Sequence, residues 1–292
     1  MKLALQVDRD IDLGPFSMYL RQQGIRHRIN EAGKNQELWV VNAADEALVR
    51  AGFEALQRGE LQFERVRRAS APGASIAQRA FETVWRVPVT MAFILVTALF
   101  FPVTLGIESG EVGEWFRRLS FVSFELVGDR VYFDDLNTTL GKGEFWRLLT
   151  PMFLHFGVLH IVFNLLWFWE ISRRVELING GFLLFTLVLV SSLGSNLMQY
   201  AMGGPGFFGG LSGVVFGLLG YGLVWSRLIP ARDIGLANSI YVFMLGFLAF
   251  GFTGLFDLLG LGSLANWAHL GGLVAGAGVG LVWAGVEKAI GR

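Results

Sequence analysis

Gly203-Gly204-Pro205-Gly206-Phe207-Phe208-Gly209-Gly210-Leu211-Ser212-Gly213-Val214-Val215-Phe216-Gly217 is a glycine-rich loop that runs into an apolar helix, with one hydroxyl at the junction. Glycine and proline through Gly210 argue for irregular backbone. The apolar run from Leu211 onward argues for a helix starting near Ser212. A serine there has ordinary uses: it caps a helix N-terminus, or it is small enough to let two membrane helices approach. The other polar residues of the apolar segments decide between these uses and chemistry.

The loop sits in a chain of 292 residues that is 53% hydrophobic and only 16% charged, too apolar for an ordinary soluble domain. The charges crowd into a few stretches, and the chain reads as a polytopic membrane protein. Its 24 Lys and Arg balance 24 Asp and Glu, which leaves no basic footprint for nucleic acid. Cysteine is absent, excluding disulfides, thiolate nucleophiles and Cys-based metal sites. Met1 to Asp8 meets charge too soon for a secretory apolar region, so no cleaved signal peptide is expected.

Residues 1–66 alternate short patterns: strands at 3–7, 25–30 and 37–41, helices at 13–23 and 44–58, with a turn at Ala32-Gly33. This predicts a small cytoplasmic α+β domain without a catalytic constellation. His27, between Arg26 and Arg28, reads as part of a solvated basic face. Residues 67–86 read as a linker and a short amphipathic lead-in.

Six helix-length apolar segments follow, near 87–107, 148–169, 181–201, 212–225, 236–256 and 264–286, and define the membrane domain 87–292. Arg65, Arg67, Arg68, Arg79 and Arg86 precede the first segment; Arg173 and Arg174 follow the second, Arg227 and Arg232 the fourth, Lys288 and Arg292 the sixth. All fall on one side, so both termini are expected in the cytoplasm. The stretch 108–147 is then a long outer loop. Its Trp, Phe and acidic residues suit the membrane interface.

The fourth segment is short. Ser212 to Arg227 covers roughly 20 Å of a hydrocarbon layer about 30 Å thick. Irregular backbone before Ser212 must therefore lie at membrane depth, which is tolerated only inside protein or beside a wet cavity. A water-filled pocket open to the outside, with a serine on its floor, is the consequence.

His160 and Asn164 are four apart on the second segment and share a helix face. His269, on the sixth, is followed by the small-residue row Gly272, Gly276 and Gly280; Gly213, Gly217 and Gly220 form a matching row on the fourth. Close contact between the two rows brings Ser212 and His269 together. Each polar residue also has a plain use, as interhelical glue or a packing group. His155 reads as interfacial, and Asp257 as a cap or loop residue. No His-Glu-x-x-His exists for zinc hydrolysis and no pair of intramembrane aspartates for an acid dyad, which leaves acyl transfer by serine and histidine.

Gly210-Leu211-Ser212-Gly213, His160-Ile161-Val162-Phe163-Asn164 and Ala268-His269-Leu270-Gly271-Gly272 followed by Gly276 resemble the three signatures of the rhomboid intramembrane serine proteases. Glu144-Phe145-Trp146-Arg147 resembles that family's first-loop Trp-Arg motif. A small domain ahead of six spans is similar to the GlpG-type bacterial rhomboids over nearly the whole length. The resemblance implies a six-helix bundle in the bacterial inner membrane whose active site opens to the periplasmic side. Ser212 is then the nucleophile and His269 the general base; His160, Asn164 and the Ser212 N–H stabilise the oxyanion. The implied partners are transmembrane protein substrates and membrane lipid, and no cofactor or metal is expected. One departure stands out: Phe216 occupies the place of a Tyr that packs on the catalytic His in relatives of this type.

Two other classes remain on the residues alone. A non-proteolytic rhomboid-like client-binding protein would usually lack Ser212 or His269, and both are present. A solute transporter would show paired broken helices in two repeated halves, and only one break is found. Gly246, Gly251 and Gly254 on the fifth segment are expected to permit loose packing.

Overall fold

The computed structural model describes residues 2–8, 10–32, 35–58, 84–107, 112–128, 130–254, 258 and 264–290. The chain separates into two compact units, Met1–Arg79 and Ala80–Arg292. Most of the 67–86 segment and Asp257 lie outside the described residues.

In the first unit, β1 (Lys2–Asp8), β2 (His27–Ala32) and β3 (Asn35–Val40) form an antiparallel sheet in the order β1-β3-β2. Helices α1 (Gly14–Gln22) and α2 (Glu46–Gln57) supply Phe16, Leu20, Val49 and Phe53 to a core with Ala4, Val7, Leu38 and Val40 of the sheet. Period-2 alternation in β3 puts Leu38 and Val40 inward, while a register shift between Leu3 and Leu5 of β1 lets Ala4 and Val7, three apart, both face the core. His27 differs from expectation. It is half-buried: Nδ1 donates to Ile25 O at 2.9 Å, and Nε2 accepts from Ser17 Oγ at 2.7 Å. The local strand-to-helix packing turns the ring inward, away from the arginines flanking it in sequence.

The second unit contains α3 (Pro88–Phe100), α4 (Glu114–Leu119), the hairpin β4 (Phe124–Val127) and β5 (Arg130–Phe133), α5 (Leu136–Gly141), and the helices α6 (Val158–Asn179), α7 (Gly181–Gly203), α8 (Ser212–Leu228), α9 (Asn238–Gly251) and α10 (Asn266–Ala289). Two of these, α7 and α10, are long and apolar enough to cross a membrane; Pro88–Thr104, α8 and α9 are shorter apolar helices.

The second expected segment is displaced. Residues 148–153 are 3-10 turns around Pro151, and α6 starts only after Gly157 at φ 115°. It then runs ten residues past the expected end, through Glu170, Arg173 and Arg174. These charges neutralise one another at helical spacing, with Glu170 2.6 Å from Arg173 and 2.5 Å from Arg174. The buried Glu176 docks α3 onto this end: Pro88 has no N–H to satisfy, and the next two, on Val89 and Thr90, donate to its carboxylate at 2.9 and 2.8 Å.

Helix α8 is the axis of the unit, buried at every position from Gly213 to Gly222. It can be surrounded because its glycines admit backbone. A Cβ on Gly272 would lie 1.9 Å from Gly213 O, one on Gly276 1.9 Å from Gly217 O, and one on Gly220 2.1 Å from Leu273 O. The two glycine rows therefore mesh, α10 against α8, without intervening side chains. On α9, Gly246 has open space, whereas a Cβ on Gly251 would strike Asn266 at 2.2 Å; that glycine marks a close contact with α10, and not loose packing.

A matched pair of variants measures this contact. Gly276→Ala forces a methyl group onto a backbone carbonyl and is expected to cost ~1–3 kcal/mol or more. Gly278→Ala meets nothing within 4 Å, and is expected to be neutral or stabilising by roughly 0.5–1 kcal/mol through helix propensity. Reversible unfolding in detergent micelles checks both; equal effects would refute the close-packing argument.

Candidate active site

The stretch 203–211 is held from two sides. Phe207 sits in an aromatic box, its ring centroid 5.1 Å from Phe116, 4.8 Å from Phe124 and 5.1 Å from Phe133, all edge-on. Phe208 packs against Phe121 at 5.4 Å. These partners come from α4, the β4–β5 hairpin and the segment between them, so the 112–147 region is a structured brace with its own elements. The brace is tied down by Arg147, which is buried, pairs with Glu144 at 2.7 Å, and donates to Arg117 O at 2.5 Å and Ser120 O at 2.8 Å. Trp146 adds an indole hydrogen bond to Arg118 O at 2.9 Å.

On the other side lies the 151–155 segment. Gly210 N–H donates to Pro151 O at 2.9 Å, and Leu211 N–H donates to His155 Nε2 at 3.1 Å. Gly209 and Gly210 are required here: a Cβ on Gly209 would lie 2.6 Å from Pro151 O, and Gly210 has φ 114°. Helix α8 then begins at Ser212, its first bond running from Val215 N–H to Leu211 O at 2.9 Å. The amides of Ser212, Gly213 and Val214 are the N-terminal donors that an α-helix leaves unpaired.

Helix α10 brings His269 to this point. Its start is set by Gln199 Oε1, which accepts from Ala268 N–H at 3.0 Å, and by Asn266 Nδ2, which donates to Gly251 O at 2.6 Å. His269 Nε2 then lies 2.9 Å from Ser212 Oγ. The imidazole is buried and packed against Phe216, with ring centroids 4.8 Å apart and planes tilted by 30°. Ring packing thus survives the Phe at this position. Among the described residues His269 Nδ1 has no hydrogen-bond partner, so no carboxylate completes a triad.

His160 and Asn164 border the same spot. A Cβ on Gly210 would lie 2.7 Å from His160 Nε2 and 3.6 Å from Asn164 Nδ2. His160 Nδ1 accepts from Phe156 N–H at 3.2 Å, which leaves the proton on Nε2, the nitrogen facing Gly210. Asn164 Nδ2 gives one hydrogen to His160 O at 2.9 Å and keeps the other. All four residues singled out from the sequence, Ser212, His269, His160 and Asn164, therefore meet around residues 210–212. His155, read from the sequence as interfacial, is fully buried and takes part in the loop's hydrogen bonding. Its five-residue spacing from His160 belongs to no helix face, because α6 begins only after Gly157, between the two. Gln199 and Asn266, which aim the start of α10, also carried no sequence signal.

Within one helical bundle a serine–histidine pair thus meets the unpaired N-terminal amides of a helix and two side-chain donors. Two family models match the chain, the Rhomboid domain over residues 142–285 and the Rhomboid N-terminal domain over residues 2–66. Between them they span most of its length, and the chain belongs to the rhomboid family, membrane-embedded serine proteases; the N-terminal domain is typical of GlpG-type bacterial rhomboids.

The brace has an acid-sensitive tie. Asp134, just after β5, accepts from Ser123 Oγ at 2.5 Å and from Lys142 Nζ at 2.6 Å. The Lys142 hydrogen bond first, then that of Ser123, holds its carboxyl below the usual carboxylate range. A depressed folded-state value stabilises the fold above the unfolded value, near 3.9, and that contribution is lost as pH falls through the folded one. Asp134→Asn is expected to lower the thermal midpoint at pH 7, with the gap to wild type closing from about pH 4 downward. A gap that stays constant with pH would show that ionisation of Asp134 contributes nothing.

Proposed function

We propose that the chain is an intramembrane serine endopeptidase working through a two-residue dyad. The 2.9 Å contact between Ser212 Oγ and His269 Nε2 carries this reading. A serine hydroxyl is a weak nucleophile until an adjacent base takes its proton. His269 Nε2 accepts that proton as Oγ bonds to the substrate carbonyl carbon. The resulting oxyanion is met by His160 Nε2–H, the free Asn164 Nδ2–H and the Ser212 N–H. His269 then returns the proton to the departing amine as the C–N bond breaks, leaving an ester on Ser212. Water, deprotonated by His269, hydrolyses that ester and regenerates the hydroxyl. Phe216 supports the cycle by holding the ring where a triad would use an acid, and its face suits a transient imidazolium.

The membrane setting follows from the surface. Leu95, Leu99, Leu159, Phe163, Phe182, Val242, Phe243 and Val282 are exposed on the helices, an apolar exterior that suits lipid. In this reading α3, α6, α7, α8, α9 and α10 are six crossings of a bacterial inner membrane. Arg173, Arg174, Arg227, Arg232 and Lys288 mark the cytoplasmic side, residues 1–66 are a cytoplasmic domain, and the Ser212 end opens toward the periplasm. Substrates are transmembrane segments of other proteins that unwind locally, because a helix hides its carbonyls in hydrogen bonds. The glycines around Ser212 leave room for an extended strand to approach.

Cleavage of a single-span substrate by purified protein in liposomes, with fluorophosphonate labelling, tests this. Wild type is expected to cleave and label; Ser212→Ala to lose both; His269→Ala to lose cleavage. His160→Ala or Asn164→Ala should lower kcat by about 10²–10³. Cleavage that persists in Ser212→Ala would overturn the assignment.

A further inference from the structure

Two consecutive amides ahead of the nucleophile are pinned, Gly210 N–H by Pro151 O and Leu211 N–H by His155 Nε2. The second pin is a side chain. His155 Nδ1 lies 3.2 Å from Phe153 O, and a carbonyl can only accept, so Nδ1 bears the proton and Nε2 offers a lone pair to Leu211. The ring has no freedom to drift: it is fully buried, 5.0 Å from the ring of His160. Its own backbone carbonyl accepts from Thr104 Oγ1 at 2.5 Å and Gly157 N–H at 3.1 Å.

Gly210 makes such a pin necessary. At φ 114° and without a side chain, it lets the Gly210–Leu211 peptide plane rotate at little steric cost, so the plane must be fixed from outside. An amide plane that rotates carries its N–H and the preceding carbonyl together. A turned plane would bring Gly210 O toward the space now occupied by donors, and would alter the direction in which Ser212 N–H leaves the loop. We infer that His155 is a positioning residue for the oxyanion site: by accepting the Leu211 N–H it locks the Gly210–Leu211 peptide, and through it the direction of the Ser212 amide. The inference rests on the proposed protease activity for its functional consequence, while the clamp itself is a property of the fold.

The test compares His155→Leu, which keeps bulk but offers no acceptor, with His155→Gln, whose Oε1 can replace Nε2 and whose Nε2 can donate to Phe153 O. Three readouts are taken: kcat and KM per fluorophosphonate-labelled site, the thermal midpoint, and amide hydrogen exchange at Leu211 and Val215. His155→Leu is expected to lose about 10- to 100-fold in kcat with KM little changed. Leu211 exchange should accelerate while Val215, bonded to Leu211 O, stays protected. His155→Gln is expected to restore both toward wild type. Unchanged kcat in folded His155→Leu, or a loss explained wholly by fewer labelled sites, would overturn the positioning role, as would failure of the Gln variant to rescue when Leu211 is protected again. If wild type neither cleaves nor labels, the protease reading falls instead, and unaltered Leu211 exchange in His155→Leu would by itself refute the clamp.

Discussion

The contact on which the rest depends is backbone against backbone. Gly272 and Gly276 of α10 approach the carbonyls of Gly213 and Gly217 so closely that no Cβ fits between them. In lipid the hydrophobic effect gives helices little reason to associate, so packing of this kind must hold them. The same contact shapes the candidate site. Gly272 lies three residues after His269 and Gly213 one residue after Ser212, so the register that seats the glycines also sets the Ser212–His269 distance. A slip of one turn would separate the two by about 5 Å.

Around that axis the site is assembled from parts that do not themselves react. The aromatic box on Phe207 and the Arg147 tie hold the outer brace to the loop, and the 151–155 segment holds the loop from beneath. The glycine-rich loop can therefore be irregular without being loose. Its amides at Gly210 and Leu211 have acceptors, and those beyond belong to the helix start, where unpaired donors are the rule.

The sequence made legible whatever follows a period or a local exception to one. The glycine rows of α8 and α10 recur at helical spacing, and Ser212 marks the change from glycine to apolar run; both were placed correctly. His160 and Asn164 could be paired because four residues is a helix turn. The start of α6 was misplaced by about ten residues because residues 148–156 are as apolar as a helix, and only the φ of Gly157 shows that the helix begins later. The β4–β5 hairpin was missed since its short strands, Phe124–Val127 and Arg130–Phe133, alternate too briefly to declare a period. His155 was missed for a different reason. Its role depends on a hydrogen bond to a residue 56 positions away, and no local pattern encodes that.

The three histidines of the membrane-type unit show how one residue type acquires separate tasks from its neighbours. Each is fixed by what its ring nitrogens meet. His155 accepts at Nε2 and donates at Nδ1, so it is a clamp whose two nitrogens are both committed. His160 accepts at Nδ1, which leaves Nε2–H as a donor facing the loop. His269 meets Ser212 Oγ at Nε2, and its Nδ1 has no partner among the described residues. An unpaired buried polar group costs about 1–3 kcal/mol, a penalty that an acid in a triad would remove. Here the packing of Phe216 against the ring orients it instead, and in the proposed dyad orientation, not charge, is what a neutral base needs before it takes the serine proton.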